Sequence, residues 1–518
     1  MHIYNAHRGQ LGLHLPQKLI VDNFAGGGGA SMGLEAGFGR PVDIAINHNA
    51  EAISMHQTNH PDTAHYCESV WNVDPVRACH GMPVEWAHFS PDCTHHSKAR
   101  GGKPKKKEIR GLAWIVIKWA ILKRPEMISL ENVEEFRDWG PLDAAGQPIK
   151  ERAGQTYLAF MAMLTTGIHP AHPAVTELRE FMPDGFDITP AIKGLGYSVD
   201  WKELRACDFG APTTRNRLFM LSRVDGGDIH WPAPTHGHGP GLIPYRTAAE
   251  CIDWTIPCPS IFDRPKPLAA ATLRRIAKGL RKFVIDAKQP FIVPAEMVAP
   301  FITDTANGSS QRNMPINEPL RTITAMTKGG TFALVAPIIE RQFGTASGNP
   351  IDEPLRTIMP GGSGKSALVA AFLTKHYGGN YTGSGLSLNQ PLGTITTIDH
   401  HALSVAFLLK YYGNEKDGCS LGDPLHTIPT KDRFGLVVVN IDGDPYRIVD
   451  IGMRMLQPHE LYKAQGFPDG YIHDRLADGT PLTKTAQVRM VGNSVSPPVL
   501  EAIVRANTGA TATRSKVA

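Results

Sequence analysis

A cysteine and a glutamate stand near the ends of two short apolar runs, where they could act together on one substrate. Cys93 comes shortly after residues 86–89, and Glu131 follows residues 125–130. Both runs predict strands, and the carboxyl edges of parallel strands face one crevice, so we expect the two side chains to meet there. A thiol in such a crevice can be a nucleophile, and a carboxyl group can be a general acid. A buried structural cysteine and an exposed loop carboxylate remain the alternatives.

Two arginines alternate at the start of a later predicted strand. Arg215 and Arg217 are two residues apart, so they project from the same face of that strand. A pair of guanidinium groups could hold an anion, a carbonyl oxygen or a carboxylate. Ordinary surface ion pairs are the alternative.

A glycine-rich turn joins the first predicted strand to a helix. The apolar run 18–24 leads into Ala25 and four glycines, and a helix-like segment continues to Phe38. Glycines allow a ligand to approach the backbone, and the helix N-terminus offers free N–H groups, which predicts a nucleotide-like cofactor. The spacing G-x-G-x-x-G is not met, which disfavours NAD. Residues 29–33 also match the G-x-S-x-G turn of hydrolases, but no HGGG-type loop accompanies them. A turn without a ligand stays open.

These groups need a scaffold, and apolar runs alternate with helix-like segments as far as residue 223. This alternation predicts an α/β fold with a doubly wound, mostly parallel sheet. We expect a helix over 109–122, a strand over 197–207 and a terminal helix from 497 to 506. Asn493 is a turn signal at a helix entrance.

Prolines and glycines become frequent after residue 225, where a second domain is expected to begin. A P-L-x-T-I motif occurs four times in it, at residues 318–323, 353–358, 390–395 and 423–428. Each copy precedes an apolar run, which predicts a mainly β domain of four repeats. The expected domains are 1–225, 226–445 and a C-terminal segment, 446–518, that returns to the first domain.

The composition indicates an intracellular protein. Seven cysteines among 518 residues form no paired framework, which favours a reducing cytoplasm. No apolar run is long enough for a membrane span, so we expect no membrane partner. The net charge of +4 permits a nucleic-acid partner. Residues 98–107 carry six positive charges, which would suit a phosphate backbone, although a solvated loop is the alternative.

Two other ligand sites are disfavoured. Residues 361–366 resemble a phosphate-binding loop but lack its first glycine, so an ATPase is not expected. The histidines near Cys93 and the run 399–401 lack partners at metal-ligand spacing, so no metal is expected.

Taken in order, these segments resemble motifs of the cytosine-C5 DNA methyltransferase family of bacterial or phage type. The family's cofactor motif, D-L-F-x-G-x-G-G, is similar to the first segment, and its P-C-Q, E-N-V and R-x-R motifs to the next three. The matching segments are residues 22–29, 90–93, 131–133, 215–217, 465–468 and 492–495. The chain departs from the family at Asp92, Thr94 and Thr213, and it has His48 and Ser69 where acidic residues are usual.

The resemblance implies a Rossmann-like fold that binds S-adenosylmethionine, with the repeat region as target-recognition domain. It implies a nucleophile, Cys93, an acid, Glu131, and two guanidinium groups, on Arg215 and Arg217. The implied cofactor-binding residues are Asp22, Phe24, Ala25, Gly26, Gly28, Gly29, His48, Ser69, Pro91, Asn493, Ser494 and Val495. The implied DNA-binding residues are Ser97, Lys98, Arg100, Lys103 and Lys105.

The function implied by the resemblance is DNA (cytosine-5) methylation. A methyl group would pass to C5 of a cytosine flipped out of duplex DNA, through a covalent adduct between Cys93 and C6. We expect a cytoplasmic monomer that acts in restriction and modification or alone. An RNA cytosine-C5 methyltransferase and a non-catalytic DNA-binding relative are the alternatives.

Overall fold

The computed structural model describes residues 18–92, 111–143, 147–256, 258–262, 264–293, 301–304, 313–315, 332–335, 367–375, 385–395, 397, 401–410, 438–441 and 444–508. The chain divides into two compact units. The first comprises Met1–Tyr245 and Gln465–Ala518, and the second comprises Arg246–Ala464. The division into domains at residues 225 and 445 stays a prediction.

A seven-stranded sheet forms the centre of the first unit. Its strands are β1 (Leu19–Asn23), β2 (Ile44–Ile46), β3 (Ala64–Tyr66), β4 (Val84–Phe89), β5 (Met127–Asn132), β6 (Ser198–Arg205) and β7 (Asn216–Arg223). They lie in the order β3-β2-β1-β4-β5-β7-β6. Strand β7 runs antiparallel to β5 and β6, and the other neighbouring pairs are parallel. The predicted doubly wound, mostly parallel sheet is confirmed.

Helices cover both faces of this sheet. The described helices of the chain are α1 (Gly29–Phe38), α2 (Ala50–Asn59), α3 (Pro75–Ala78), α4 (Trp114–Leu122), α5 (Gln155–Leu164), α6 (Pro173–Phe181), α7 (Thr189–Lys193), α8 (Ala270–Leu280), α9 (Pro458–Gln465), α10 (Lys484–Asn493) and α11 (Pro497–Thr508). Val21 of β1 packs in a cluster with α4 and α5, whereas Ile20 packs in a second cluster with α1 and α11. Because both faces of β1 are buried, its apolar run is continuous rather than alternating.

The second unit contains antiparallel sheets. Its strands are β8 (Phe301–Asp304), β9 (Asn313–Pro315), β10 (Phe332–Val335), β11 (Ala367–Lys375), β12 (His401–Lys410), β13 (Val438–Ile441) and β14 (Asp444–Met455). They form a three-stranded sheet, β10-β8-β9, and a four-stranded sheet, β11-β12-β14-β13. Helix α8 packs on the larger sheet through Ile276 and Leu280, which share a cluster with Phe372.

Strands occur where the sequence has its four apolar runs, in β10, β11, β12 and β13. The third P-L-x-T-I motif, residues 390–395, is described; it lies outside the strands named above, and its Leu392 and Ile395 are buried. The other three copies of the motif and the loop 361–366 lie outside the described residues.

Three boundaries differ from the predictions. The helix expected from residue 109 begins at Trp114, after a short 3-10 turn at Gly111–Ala113. Strand β6 ends at Arg205, where the chain enters another 3-10 turn. Asn493 ends α10 and does not open a helix, since α11 begins at Pro497 as predicted. Within the described ranges, no helix has the length and apolar character needed to cross a membrane.

Replacing Phe160 tests the core on the α4 and α5 face. Its ring is fully buried and lies 5.9 Å from the rings of Trp114 and Trp139, measured between centroids. We expect Phe160→Ala to lower the free energy of unfolding by about 3–5 kcal/mol because a large cavity remains. The control is Leu158→Ala on the same helix, since Leu158 is 67% exposed. Urea unfolding followed by circular dichroism measures both, and equal losses would contradict this packing.

Candidate active site

The turn after β1 has the backbone of a ligand-binding loop. Phe24, Gly26 and Gly28 all have positive φ, at 68°, 50° and 86°. The turn is held by bonds from the N–H of Ala25 to Ile46 O (3.0 Å) and from that of Gly28 to Ala25 O (2.9 Å). A positive φ is costly for a bulky residue such as Phe24, and such strain concentrates at functional sites.

The C-terminal part of the chain packs against this glycine turn. A Cβ atom on Gly29 would overlap Ser494 Oγ and Val495 O, and one on Gly28 would overlap the Tyr471 hydroxyl. That hydroxyl donates a hydrogen bond to Gly27 O (2.7 Å). The structure thus brings Ser494 and Val495 together with residues 24–29, whereas Asn493 is exposed at the end of α10.

Two polar side chains at the carboxyl end of β1 are completely buried. Asp22 and Asn23 have no exposed surface. Among the described residues, Asp22 Oδ1 and both side-chain polar atoms of Asn23 have no hydrogen-bond partner. Burial raises the pKa of the Asp22 carboxyl to about 7, and hydrogen bonds with Ser31 oppose that shift. Buried polar groups usually have partners, so these unpartnered atoms are candidates for contact with a polar ligand.

Two predicted cofactor residues lie on loops at the same edge of the sheet. His48 follows β2 and is exposed, and Ser69 follows β3 and is half-buried. The Ser69 hydroxyl accepts a hydrogen bond from the N–H of Trp71 at 3.4 Å. Since β1, β2 and β3 are parallel neighbours, both residues lie at the edge that bears the glycine turn.

The predicted acid and the predicted arginines converge. Glu131 is 6% exposed at the end of β5, and its Oε1 lies 3.1 Å from Arg217 Nε and 3.6 Å from Arg215 Nη2. Arg215 is 3% exposed, and its Nη1 donates to Gly492 O at 3.0 Å. The two guanidinium groups compensate the buried negative charge, and Arg215 links the acid to the C-terminal segment.

The segment before Cys93 is anchored on both sides. Asn132 Nδ2 donates to Pro91 O at 3.1 Å, and the N–H of Ser90 donates to Asn23 O at 3.4 Å. Pro91 is buried between β1 and β5, at the carboxyl edge of β4. Cys93 itself lies outside the described residues, as do Ser97, Lys98, Arg100, Lys103 and Lys105.

Sequence reasoning missed two groups that support the turn. Tyr471 has no motif around it that signals its bond to Gly27. His56 and His60 are spaced i, i+4 on α2, a recognisable signal, and His56 contacts Ser31. Ser31, the serine of the G-x-S-x-G match, is fully buried and donates to Asp22 Oδ2 at 2.7 Å. An exposed nucleophilic serine is therefore excluded at this position.

The family model for C-5 cytosine-specific DNA methylase matches residues 19–139 and 411–508. These two parts of the chain are similar to the C-5 cytosine-specific DNA methylase family. The matched residues include β1, β4, β5, the glycine turn and the helices α10 and α11. The region between the two matched parts holds the first three copies of the repeat motif.

Curated relatives are Type II methyltransferases. M.AgeI of Thalassovita gelatinovora is 26% identical over 284 residues, which cover 53% of this chain and 54% of the relative. The chain thus spans about half the length of that relative. M.AquIA of Picosynechococcus is 23% identical over 259 residues, covering 46% of this chain and 90% of the relative. The solved structure of the S. pombe Dnmt2 methyltransferase aligns over 94% of this chain and 98% of its own, with 11% identity and a TM-score of 0.40.

A side chain at Gly29 tests the close packing of the turn. We expect Gly29→Ala to lower the free energy of unfolding by about 1–3 kcal/mol, because Ser494 and Val495 must move to admit a methyl group. Gly470→Ala is the control, since its Cβ would meet no atom within 4 Å. Denaturant unfolding compares the two variants, and an unchanged midpoint for Gly29→Ala would contradict the packing.

Proposed function

We propose that this chain is an S-adenosylmethionine-dependent DNA (cytosine-5) methyltransferase of the restriction-modification type. The observation that carries the proposal is the convergence of Glu131, Arg215 and Arg217 at the carboxyl edge of the sheet, next to the segment that leads to Cys93. Glu131 lies within the residues that match the family model, and the relatives of the chain are named Type II methyltransferases.

The residues around the glycine turn fit the cofactor. Gly26 and Gly28 give the turn its positive φ, and the unpartnered atoms of Asp22 and Asn23 suit polar groups of a ligand. The residues that would hold the cofactor are Asp22, Phe24, Ala25, Gly26, Gly28, Gly29, His48, Ser69, Pro91, Asn493, Ser494 and Val495. When bound, S-adenosylmethionine supplies the methyl group that cytosine C5 accepts.

The protein's own side chains make C5 nucleophilic. The Cys93 thiolate adds to C6 of the cytosine and forms an S–C6 bond, which raises the electron density at C5. Glu131 donates a proton or a hydrogen bond to N3, which assists that addition. Arg215 contacts the carbonyl oxygen O2, and Arg217 supports the loop around Cys93. A base or water then removes the C5 proton, and the S–C6 bond breaks to restore the thiolate.

The target cytosine must leave the duplex, because C6 is inaccessible while the base is stacked. Flipping costs a few kcal/mol, which contacts with phosphates and the unpaired partner strand offset. The basic segment with Ser97, Lys98, Arg100, Lys103 and Lys105 supplies positive charge beside Cys93 in the sequence. Residues 226–445, with the repeats, are the proposed target-recognition domain.

Removing the thiol tests the covalent step. We expect Cys93→Ala to lose methyl transfer to duplex DNA while its dissociation constant for S-adenosylmethionine changes little. Cys67→Ala is the matched control, because Cys67 is an exposed free cysteine after β3. Duplex DNA with 5-fluorocytosine at the target should form a denaturation-resistant adduct with the wild type and the control, but not with Cys93→Ala. Methylation by Cys93→Ala would refute the nucleophile.

The acid is tested by Glu131→Gln, which keeps the size of the side chain. We expect methyl transfer to slow by about 10²–10⁴-fold, with cofactor binding kept, because the general acid is lost.

Bisulfite sequencing of DNA from expressing cells reports the methylated base and its sequence context. Methyl transfer to tRNA and not to DNA would establish the RNA enzyme, and cofactor binding without transfer to either would establish a non-catalytic relative.

A further inference from the structure

A row of hydrogen-bonded side chains runs from the surface to the buried end of β1. His65 Nε2 lies 2.8 Å from His56 Nδ1, and His56 Nε2 lies 2.9 Å from Ser31 Oγ. Ser31 Oγ lies 2.7 Å from Asp22 Oδ2. His56, Ser31 and Asp22 have no exposed surface, whereas His65 is partly exposed on β3. The order places serine between histidine and aspartate, which is not the order of a hydrolase triad.

The direction of every bond in this row depends on whether Asp22 carries a proton. If Asp22 is ionised, the Ser31 hydroxyl donates to it, His56 Nε2–H donates to Ser31, and His65 Nε2–H donates to His56. If Asp22 is protonated, it donates to Ser31, and each later bond reverses. Each neutral group has one donor and one acceptor position, so the bonds of the row itself can form in both states. The hydrogen bond of the His65 ring with the Thr63 backbone favours a protonated ring nitrogen.

Loss of the proton is balanced along the row. Asp22 passes its proton to Ser31, Ser31 passes its own to His56 Nε2, and His56 passes the Nδ1 proton to His65 Nε2. His65 then releases its Nδ1 proton to water. One negative charge appears on Asp22, one proton leaves the protein, and Ser31 and both histidines remain neutral.

Several charged or titratable groups surround the row. Glu35 of α1 lies within electrostatic range of Asp22, and its Oε1 is 2.9 Å from His60 Nδ1. The His60 and His56 ring centroids are 4.3 Å apart. His88 of β4 is the register partner of Asp22, and the Tyr471 ring lies 6.2 Å from that of His60.

We propose that Ser31, His56 and His65 are positioning residues that let the buried Asp22 carboxyl give up a proton when S-adenosylmethionine binds. This inference rests on the proposed function, because it takes that cofactor as the ligand. The cofactor carries a sulfonium cation, and a nearby opposite charge favours the ionised carboxylate. Asp22 Oδ1 is buried and has no hydrogen-bond partner among the described residues.

The titration of these groups agrees with the geometry. Burial raises the pKa of Asp22 to about 7, so the free protein holds both states near neutral pH. Burial and nearby His60 together lower the pKa of His65 to about 4, and a hydrogen bond with the Thr63 backbone opposes that shift. Burial also lowers the pKa of His56 well below its ordinary value. Both histidines are therefore neutral, as the row requires.

Calorimetry in buffers of different ionisation enthalpy counts the protons released when S-adenosylmethionine binds. Asp22→Asn is the reference, because titration of the cofactor's own amino group contributes equally to both proteins. We expect the wild type to release about 0.9 proton more than Asp22→Asn at pH 6 and about 0.1 more at pH 8. The dissociation constant of the wild type for S-adenosylmethionine should rise about tenfold for each unit by which the pH falls below about 7.

The contribution of the row is tested separately. His56→Leu removes the N–H that donates to Ser31 when Asp22 is ionised, so the midpoint of the pH profile should rise by about one unit. His56→Gln should keep the wild-type midpoint, because an amide offers both a donor and an acceptor. Ser31→Ala cuts the row at a second place if His56→Leu does not fold. The control is His172→Asn, which should leave the midpoint of the pH profile unchanged, because His172 caps the N-terminus of α6 and is not part of the row.

The outcomes separate the two proposals. Cofactor binding with the same proton count in the wild type and Asp22→Asn would overturn the role of Asp22 and leave the proposed function intact. A midpoint that His56→Leu and Ser31→Ala both leave unchanged would overturn the role of the row. Failure of the wild type to bind S-adenosylmethionine at any pH would overturn the proposed function. In that case infrared spectroscopy still follows the titration of Asp22 in the free protein. The carbonyl band of its protonated carboxyl should be missing from the spectrum of Asp22→Asn.

Discussion

The first unit depends on the close approach between the glycine turn after β1 and the residues that follow α9. Gly28 and Gly29 leave no room for a Cβ atom because Tyr471, Ser494 and Val495 occupy that space. The absence of side chains at these two positions therefore does two things. It gives the turn the positive φ of Gly28, and it allows the C-terminal segment to pack against the start of α1.

Glu131, the proposed acid, is also held by contacts between distant segments. Glu131 comes from β5, Arg215 and Arg217 from the antiparallel β7, and the carbonyl that receives Arg215 from α10. Such a cluster of buried charges is costly unless each group has a partner, and removing one leaves the others uncompensated. The geometry of the acid is thus fixed by all three segments at once.

The sequence predicted the scaffold better than the contacts. The runs at β1 and β5 predicted buried strands because most of their positions are apolar, and both strands are confirmed, with Glu131 near the end of β5 and the glycine turn shortly after β1. The contact between Glu131 and the arginines was not predictable from spacing, since it requires β7 to lie beside β5. Ser31 matched a nucleophile turn, yet its burial against Asp22 and His56 depends on how α2 packs. Cys93 and the basic loop stay predictions.

The position of Tyr471 has a consequence for how the protein is made. Its hydroxyl bonds to Gly27, and the two residues are 444 positions apart in the chain. Contacts of such long range form late, because a large loop must close before they can stabilise anything. During synthesis the glycine turn leaves the ribosome early, long before Tyr471 is translated. The packing around the glycine turn is therefore completed only after the C-terminal segment has been made, and until then the apolar residues of β1 and α1 that this segment covers stay unpacked.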